Sequence, residues 1–130
     1  MSLKKNHRFQ ASLRAAQQQD INHFGALHGT TGKTHTDPEF ARQNGFGGVI
    51  VQGALIMAPV MDICHDILGD AWLHGGEIET KFVAYTRPDD SITVQFEVQQ
   101  CAPDRLQLSY VCTLPDGKVV QTGTVTQSRT

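Results

Sequence analysis

Residues 54–61, Ala-Leu-Ile-Met-Ala-Pro-Val-Met, carry no charge and no hydrogen-bonding side chain. A helix that is apolar on every side belongs inside a core. The run is far shorter than the about 20 residues a bilayer span needs, and Asp62 and Asp66 cut it off. Residues 45–68 therefore read as a buried central helix entered through glycine-rich backbone, with Gln52-Gly53 where the helix begins. A buried helix start presents unpaired N–H groups and the positive end of the dipole. It can hold a carbonyl oxygen or an anion. Pro59 is expected to kink or locally break this helix.

The remaining pattern supplies what wraps the helix. Residues 9–15 alternate weakly, as a first strand. Residues 17–27 read as a short helix with Ile21, Phe24, Ala26 and Leu27 near one face, and His23 and His28 on the solvated side. Residues 28–35 are a loop by composition. Asp37-Pro38-Glu39 is a helix start with Asp as N-cap and Pro in the first turn, and Asn44-Gly45 is its stop.

After Gly69 the period changes to two. Ile78, Phe82 and Ala84 alternate with polar residues. Ile92, Val94, Phe96 and Val98 mark the clearest strand, Leu106, Leu108, Tyr110, Cys112 and Leu114 the next, and Val119, Gln121, Gly123 and Val125 a weaker last one. Arg87-Pro88-Asp89-Asp90, Ala102-Pro103-Asp104 and Pro115-Asp116-Gly117 are turns. Short turns between strands predict an antiparallel meander with one apolar face. The fold class is α+β: a curved antiparallel β-sheet wrapped around a buried central α-helix, in one domain over residues 1–130.

Composition narrows the partners. A net charge of -2 with scattered basic residues gives no electrostatic reason to expect nucleic acid or an anionic membrane. No secretory apolar segment is visible, and Cys64, Cys101 and Cys112 are odd in number with no Cys-x-x-Cys spacing. Reduced, mostly buried thiols in a cytoplasmic protein are expected. Gly32-Lys33-Thr34 looks like the end of a phosphate-binding loop, but Leu27 stands where that motif needs its first glycine. The histidines show no metal-ligand spacing, and neither a metal nor another cofactor is expected.

The chemistry rests on His35 and Gly53. A histidine can take and return a proton near neutral pH. N–H groups at a helix start can stabilise the enolate-like oxygen of a reacting thioester. Together they are the minimum apparatus for adding water to an α,β-unsaturated thioester.

Residues 24–53 resemble the signature region of the MaoC-like dehydratases, the hotdog-fold (R)-specific enoyl-CoA hydratases. His35-Thr36-Asp37-Pro38-Glu39-Phe40-Ala41 is similar to the family's His-x-x-x-x-x-Ala element, and Gly45-Phe46-Gly47-Gly48 with Ile50-Val51-Gln52-Gly53 to the segment that follows it. The resemblance implies a hotdog fold, an acyl-CoA or other acyl-thioester substrate, and a homodimer or higher homo-oligomer. It implies that His35 is the catalytic histidine and Gly53 the oxyanion donor. Phe46, Val51, Gln52 and Ala54 flank the helix start and are the substrate-binding candidates. For Phe46 and Val51, as for Phe24, filling the core is the competing role.

The chain departs from the family at one place. The usual Ser-Gly-Asp-x-Asn-Pro before the histidine is here His28-Gly29-Thr30-Thr31-Gly32-Lys33, so Thr30 stands at the catalytic Asp position. Thr30 is the third catalytic candidate: its hydroxyl, like that of Thr31, can orient a water but cannot act as a base near pH 7, and losing shared acid–base assistance costs about 3–5 kcal/mol of barrier lowering. Three outcomes stay open: His35 works with another partner (His28 and Lys33 are in the same loop), the reaction has changed, or activity is low. An acyl-CoA thioesterase and an inactive acyl-thioester-binding protein or subunit are the alternatives to a hydro-lyase.

Overall fold

The computed structural model describes residues 3–29 and 32–128. Five strands form a single antiparallel sheet: β1 (Arg8–Leu13), β2 (Gly76–Phe82), β3 (Ile92–Cys101), β4 (Arg105–Thr113) and β5 (Val119–Ser128). Their spatial order is β1-β3-β4-β5-β2. The meander expected from the turns holds for β3, β4 and β5. β2, however, pairs with β5 rather than with β3, its neighbour in sequence. The irregular stretch after Phe82 carries the chain across the sheet, so β1 and β2 are the two edges.

Among the described residues, five helices accompany the sheet: α1 (Gln18–His28), α2 (Lys33–Thr36), α3 (Pro38–Gln43), α4 (Gly53–Leu68) and α5 (Ala71–Gly75). The Asp37 carboxylate accepts from the Glu39 and Phe40 amides at 3.0 and 3.2 Å, which is why α3 begins at Pro38. Two short helices, α2 and α5, occupy stretches whose composition gives no helical period. In α1 the buried residues are Ile21 and Gly25, whereas Ala26 and Leu27 are exposed. Its contact face is thus one step off the stripe expected from the sequence.

The core lies between α4 and the concave face of β3–β5. Val94, Phe96 and Val98 alternate inward from β3, and Leu106, Leu108, Tyr110 and Cys112 from β4. Phe96 stacks on Phe9 with centroids 5.0 Å apart, tying edge strand β1 to the interior. Each such large side chain removed from water contributes about 1.5–3 kcal/mol.

The helix itself departs from expectation. Only Ile56, Val60 and Cys64 are buried, the i, i+4, i+8 stripe that meets the sheet. Leu55, Met57, Ala58 and Met61 are half-buried, because a single sheet curled on one side covers one face. The helix continues through Pro59, so of the two outcomes expected there the local break does not occur.

Candidate active site

His35 sits in α2, a single turn, and not in a loop. One backbone and one side-chain hydrogen bond hold that turn against residue 50. The Ile50 amide donates to the Thr34 carbonyl at 3.1 Å, and the His35 Nδ1 lies 2.8 Å from the Ile50 carbonyl. A carbonyl only accepts, so Nδ1 carries a hydrogen, and in the neutral imidazole the lone pair is on Nε2. The Gln18 side chain donates to the His35 carbonyl at 2.9 Å, anchoring the turn to α1 as well.

The glycine-rich run before α4 has a use beyond turning the chain. A Cβ at Gly47 or Gly48 would come within 2.9 Å of the Arg87 guanidinium, and that guanidinium donates to the Phe46 carbonyl. Arg87 therefore staples the entry segment to the turn after β2, where Asp90 accepts from the Arg87 amide at 2.8 Å. Next along the chain, the Val51 amide donates to the Thr86 carbonyl at 2.9 Å. These bonds bring the helix start down onto the end of β2.

Gln52 is the N-cap residue of α4, yet its side chain caps nothing. It is turned away, donating to the Ile21 carbonyl at 2.9 Å. Gly53 is the first residue of the helix, and its amide has no intrahelical acceptor. A Cβ on Gly53 would stand 2.7 Å from the Phe82 ring, so the glycine lets an aromatic face close over the helix start.

His35 and Gly53 line one cavity of about 330 Å³, together with Ile50, Val51, Ile56, residues 82–86, Val120 and Gln121. The walls are mainly apolar. His35, Thr86 and Gln121 supply the buried or half-buried polar groups. Among the described residues, no carboxylate lines the cavity. Of the substrate-binding candidates, Val51 is on the wall. Phe46 lies outside it, packed edge-on against Tyr85 at 5.4 Å, and Gln52 and Ala54 are not on the wall either. His28 packs against Phe24, the rings tilted by 36° with centroids 4.2 Å apart, and is exposed. Lys33 is exposed with its ammonium over the Phe40 ring. Neither lines the cavity. Thr30 falls outside the described residues.

Sequence reasoning missed Phe82, Thr86 and Gln121 as site residues. Phe82 reads as an ordinary inward strand position, and Thr86 sits beside a turn. Gln121 carried a signal: it is an amide at a core-facing position of a strand.

A curved antiparallel sheet embracing one helix, with an imidazole and the first helical residue on a shared cavity, defines a hotdog-fold domain of α+β class. The chain belongs to the MaoC-like dehydratase family: the model of the MaoC like domain matches residues 2–115. Solved structures agree on the fold. The (R)-hydratase from A. caviae involved in PHA biosynthesis superposes with a TM-score of 0.83 at 21% identity, covering 98% of each chain. The R-hydratase PhaJ1 from Pseudomonas aeruginosa gives 0.78 at 19% identity, over 98% of this chain and 83% of that one. The MaoC-like dehydratase from Rhodospirillum rubrum gives 0.74 at 23% identity, over 98% and 94%. No curated protein matches the sequence. Among the described residues, no helix is long and apolar enough to cross a membrane.

Proposed function

We propose that this protein is a hydro-lyase that adds water to, or removes it from, the double bond of an α,β-unsaturated acyl-CoA thioester. The observation that carries the proposal is the shared apolar cavity of His35 and Gly53, with the His35 Nδ1 committed to a backbone carbonyl. Membership of the MaoC-like family and the fold shared with the two (R)-hydratases support it.

In hydration the thioester oxygen accepts from the Gly53 N–H. The Nε2 of His35 takes a proton from water as the water oxygen bonds to the β carbon. The electron pair of the double bond moves through the α carbon onto the thioester oxygen. Return of the proton from His35 to the α carbon collapses the enolate, so atoms and charge balance with no further reactant. Helix-start amides in a site of low dielectric strengthen their hold as charge grows on that oxygen.

A second reading has its own observation. No carboxylate lines the cavity among the described residues, so a protein that binds acyl thioesters without turning them over is the alternative. The two separate in one experiment, the loss of enone absorbance of trans-2-butenoyl-CoA with wild type and His35→Ala. Hydration by wild type that collapses in the variant supports the hydro-lyase. Saturable binding with no loss of absorbance in either protein overturns it in favour of the binder.

We also infer a homodimer. Phe82, Val83 and Tyr85, exposed by 55%, 48% and 44%, lie at or just past the end of edge strand β2 and line the cavity. An apolar edge of this kind calls for cover. A monomer in analytical ultracentrifugation overturns that inference.

A further inference from the structure

We propose that Gln121 is a positioning residue for the oxyanion site: its side chain fixes the first turn of α4, and Tyr110 and Thr80 fix Gln121. The proposal rests on the hydro-lyase reading for its catalytic consequence, but its structural half stands on geometry alone. Gln121 projects from β5 into the interior, 2% exposed. Its Nε2 donates to the Gly53 carbonyl at 3.2 Å. Because that carbonyl can only accept, the amide cannot be flipped, and Oε1 must face the other way. There it accepts from the Tyr110 hydroxyl at 3.0 Å. The Tyr110 hydrogen is thereby committed, so the Thr80 hydroxyl, 2.7 Å away, turns its one hydrogen to the Tyr110 oxygen in competition with the Thr122 carbonyl at 3.3 Å. Burial raises the pKa of Tyr110 and keeps that hydroxyl protonated. The three bonds run head to tail from β2 through β4 and β5 to the helix start, and bonds aligned in this way strengthen one another.

Two features make the helix start dependent on this chain. The N-cap side chain, Gln52, is spent on Ile21 and leaves the first turn uncapped. Gly53 has no side chain to lodge it. The carbonyl that Gln121 holds shares its peptide plane with the Ala54 N–H. That plane meets the Gly53 N–H at the Gly53 Cα, so gripping it limits rotation of the residue that lines the cavity and polarises the adjoining Ala54 N–H. An apolar residue at position 121 would fill the same space and leave the plane to the helix backbone alone. A glutamate would turn a donor into an acceptor against the Gly53 oxygen.

Gln121→Met and Gln121→Glu test the assignment, each measured against wild type in two ways. The first is the amide proton and nitrogen resonances of Gly53 and Ala54. The second is the kcat and KM for hydration of trans-2-butenoyl-CoA. Both variants are expected to move the Gly53 and Ala54 resonances while those of β3 stay in place, and to lower kcat roughly ten- to hundred-fold with KM within about twofold. A residue that merely fills the core would change stability without that split. Unmoved Gly53 and Ala54 resonances in a folded variant overturn the proposal, as does an unchanged kcat beside an active wild type. If wild type does not hydrate the thioester, the hydro-lyase reading falls and the resonances alone decide the positioning role. Should Gln121→Met fail to fold, Gln121→Glu, which keeps the size and the bond from Tyr110, carries the test.

Discussion

The two ends of α4 are built on opposite plans. At the C-terminal end the backbone finds its own partners: the Gly69 amide closes on the His65 carbonyl at 2.8 Å, and Cys64 is sealed in the core. At the N-terminal end the cap residue turns away, and the first amides are left beside a cavity with an imidazole on its wall. A helix end satisfied locally contributes stability. One left open costs stability, and its free amides become available to a ligand. The difference teaches where to look for activity and where only for folding.

The largest expected effect lies at the open end. His35→Ala is expected to lower kcat for trans-2-butenoyl-CoA hydration by about 10²- to 10⁴-fold, the worth of a positioned acid–base group. Its thermal midpoint should stay close to wild type, because His35 is half-buried and its ring makes one backbone bond. Undiminished turnover would remove chemistry from this end of the helix.

Two glycine substitutions put the ends in direct competition. Gly53→Ala forces the Phe82 ring away from a contact of 2.7 Å. That ring is more than half exposed and can yield, and because it lines the cavity its movement reshapes the wall beside the helix start. We expect about a hundred-fold loss of kcat/KM, of the order that a misplacement of about 1 Å produces, with little change in the denaturation midpoint. Gly69 has φ 70° and ψ -159°, a region essentially reserved for glycine, and nothing lies within 4 Å of its missing Cβ. Gly69→Ala should therefore cost about 1–3 kcal/mol of stability through backbone strain alone. Its activity at a temperature where it is folded should match wild type. Equal stability losses with activity intact in both variants would break the contrast.

The smallest effect concerns the sealed side. Burial pushes the Cys64 and Cys112 thiols up to about 12 and raises the Tyr110 hydroxyl above its ordinary 10.0. Above an unfolded thiol pKa of 9.0 the unfolded chain loses protons that the folded chain keeps. Stability is then fully present below that pH and declines as pH rises towards the folded values. Thermal midpoints should be level from about pH 7 to 8.5 and fall progressively beyond about pH 9. In the same window thiol labelling should reach half-buried Cys101 before the two buried cysteines. A midpoint that rises above pH 9 would contradict the sealed core.

Much of this molecule is legible in residue order because its signals are local. The period-two runs of β3 and β4, the Asp37-Pro38 cap of α3 and the apolar stretch of α4 each follow from neighbours a few positions apart. The family motif likewise marks His35 and Gly53, which stand close in the chain. Four things are not local, and tertiary structure alone decides them. They are the pairing of β2 with β5, the half-covered state of α4, the Phe82 ring over Gly53 and the Gln121 bond to the helix start. Each depends on segments far apart in sequence meeting across the sheet, and no periodicity within a segment records which partner its free edge or free amide will find.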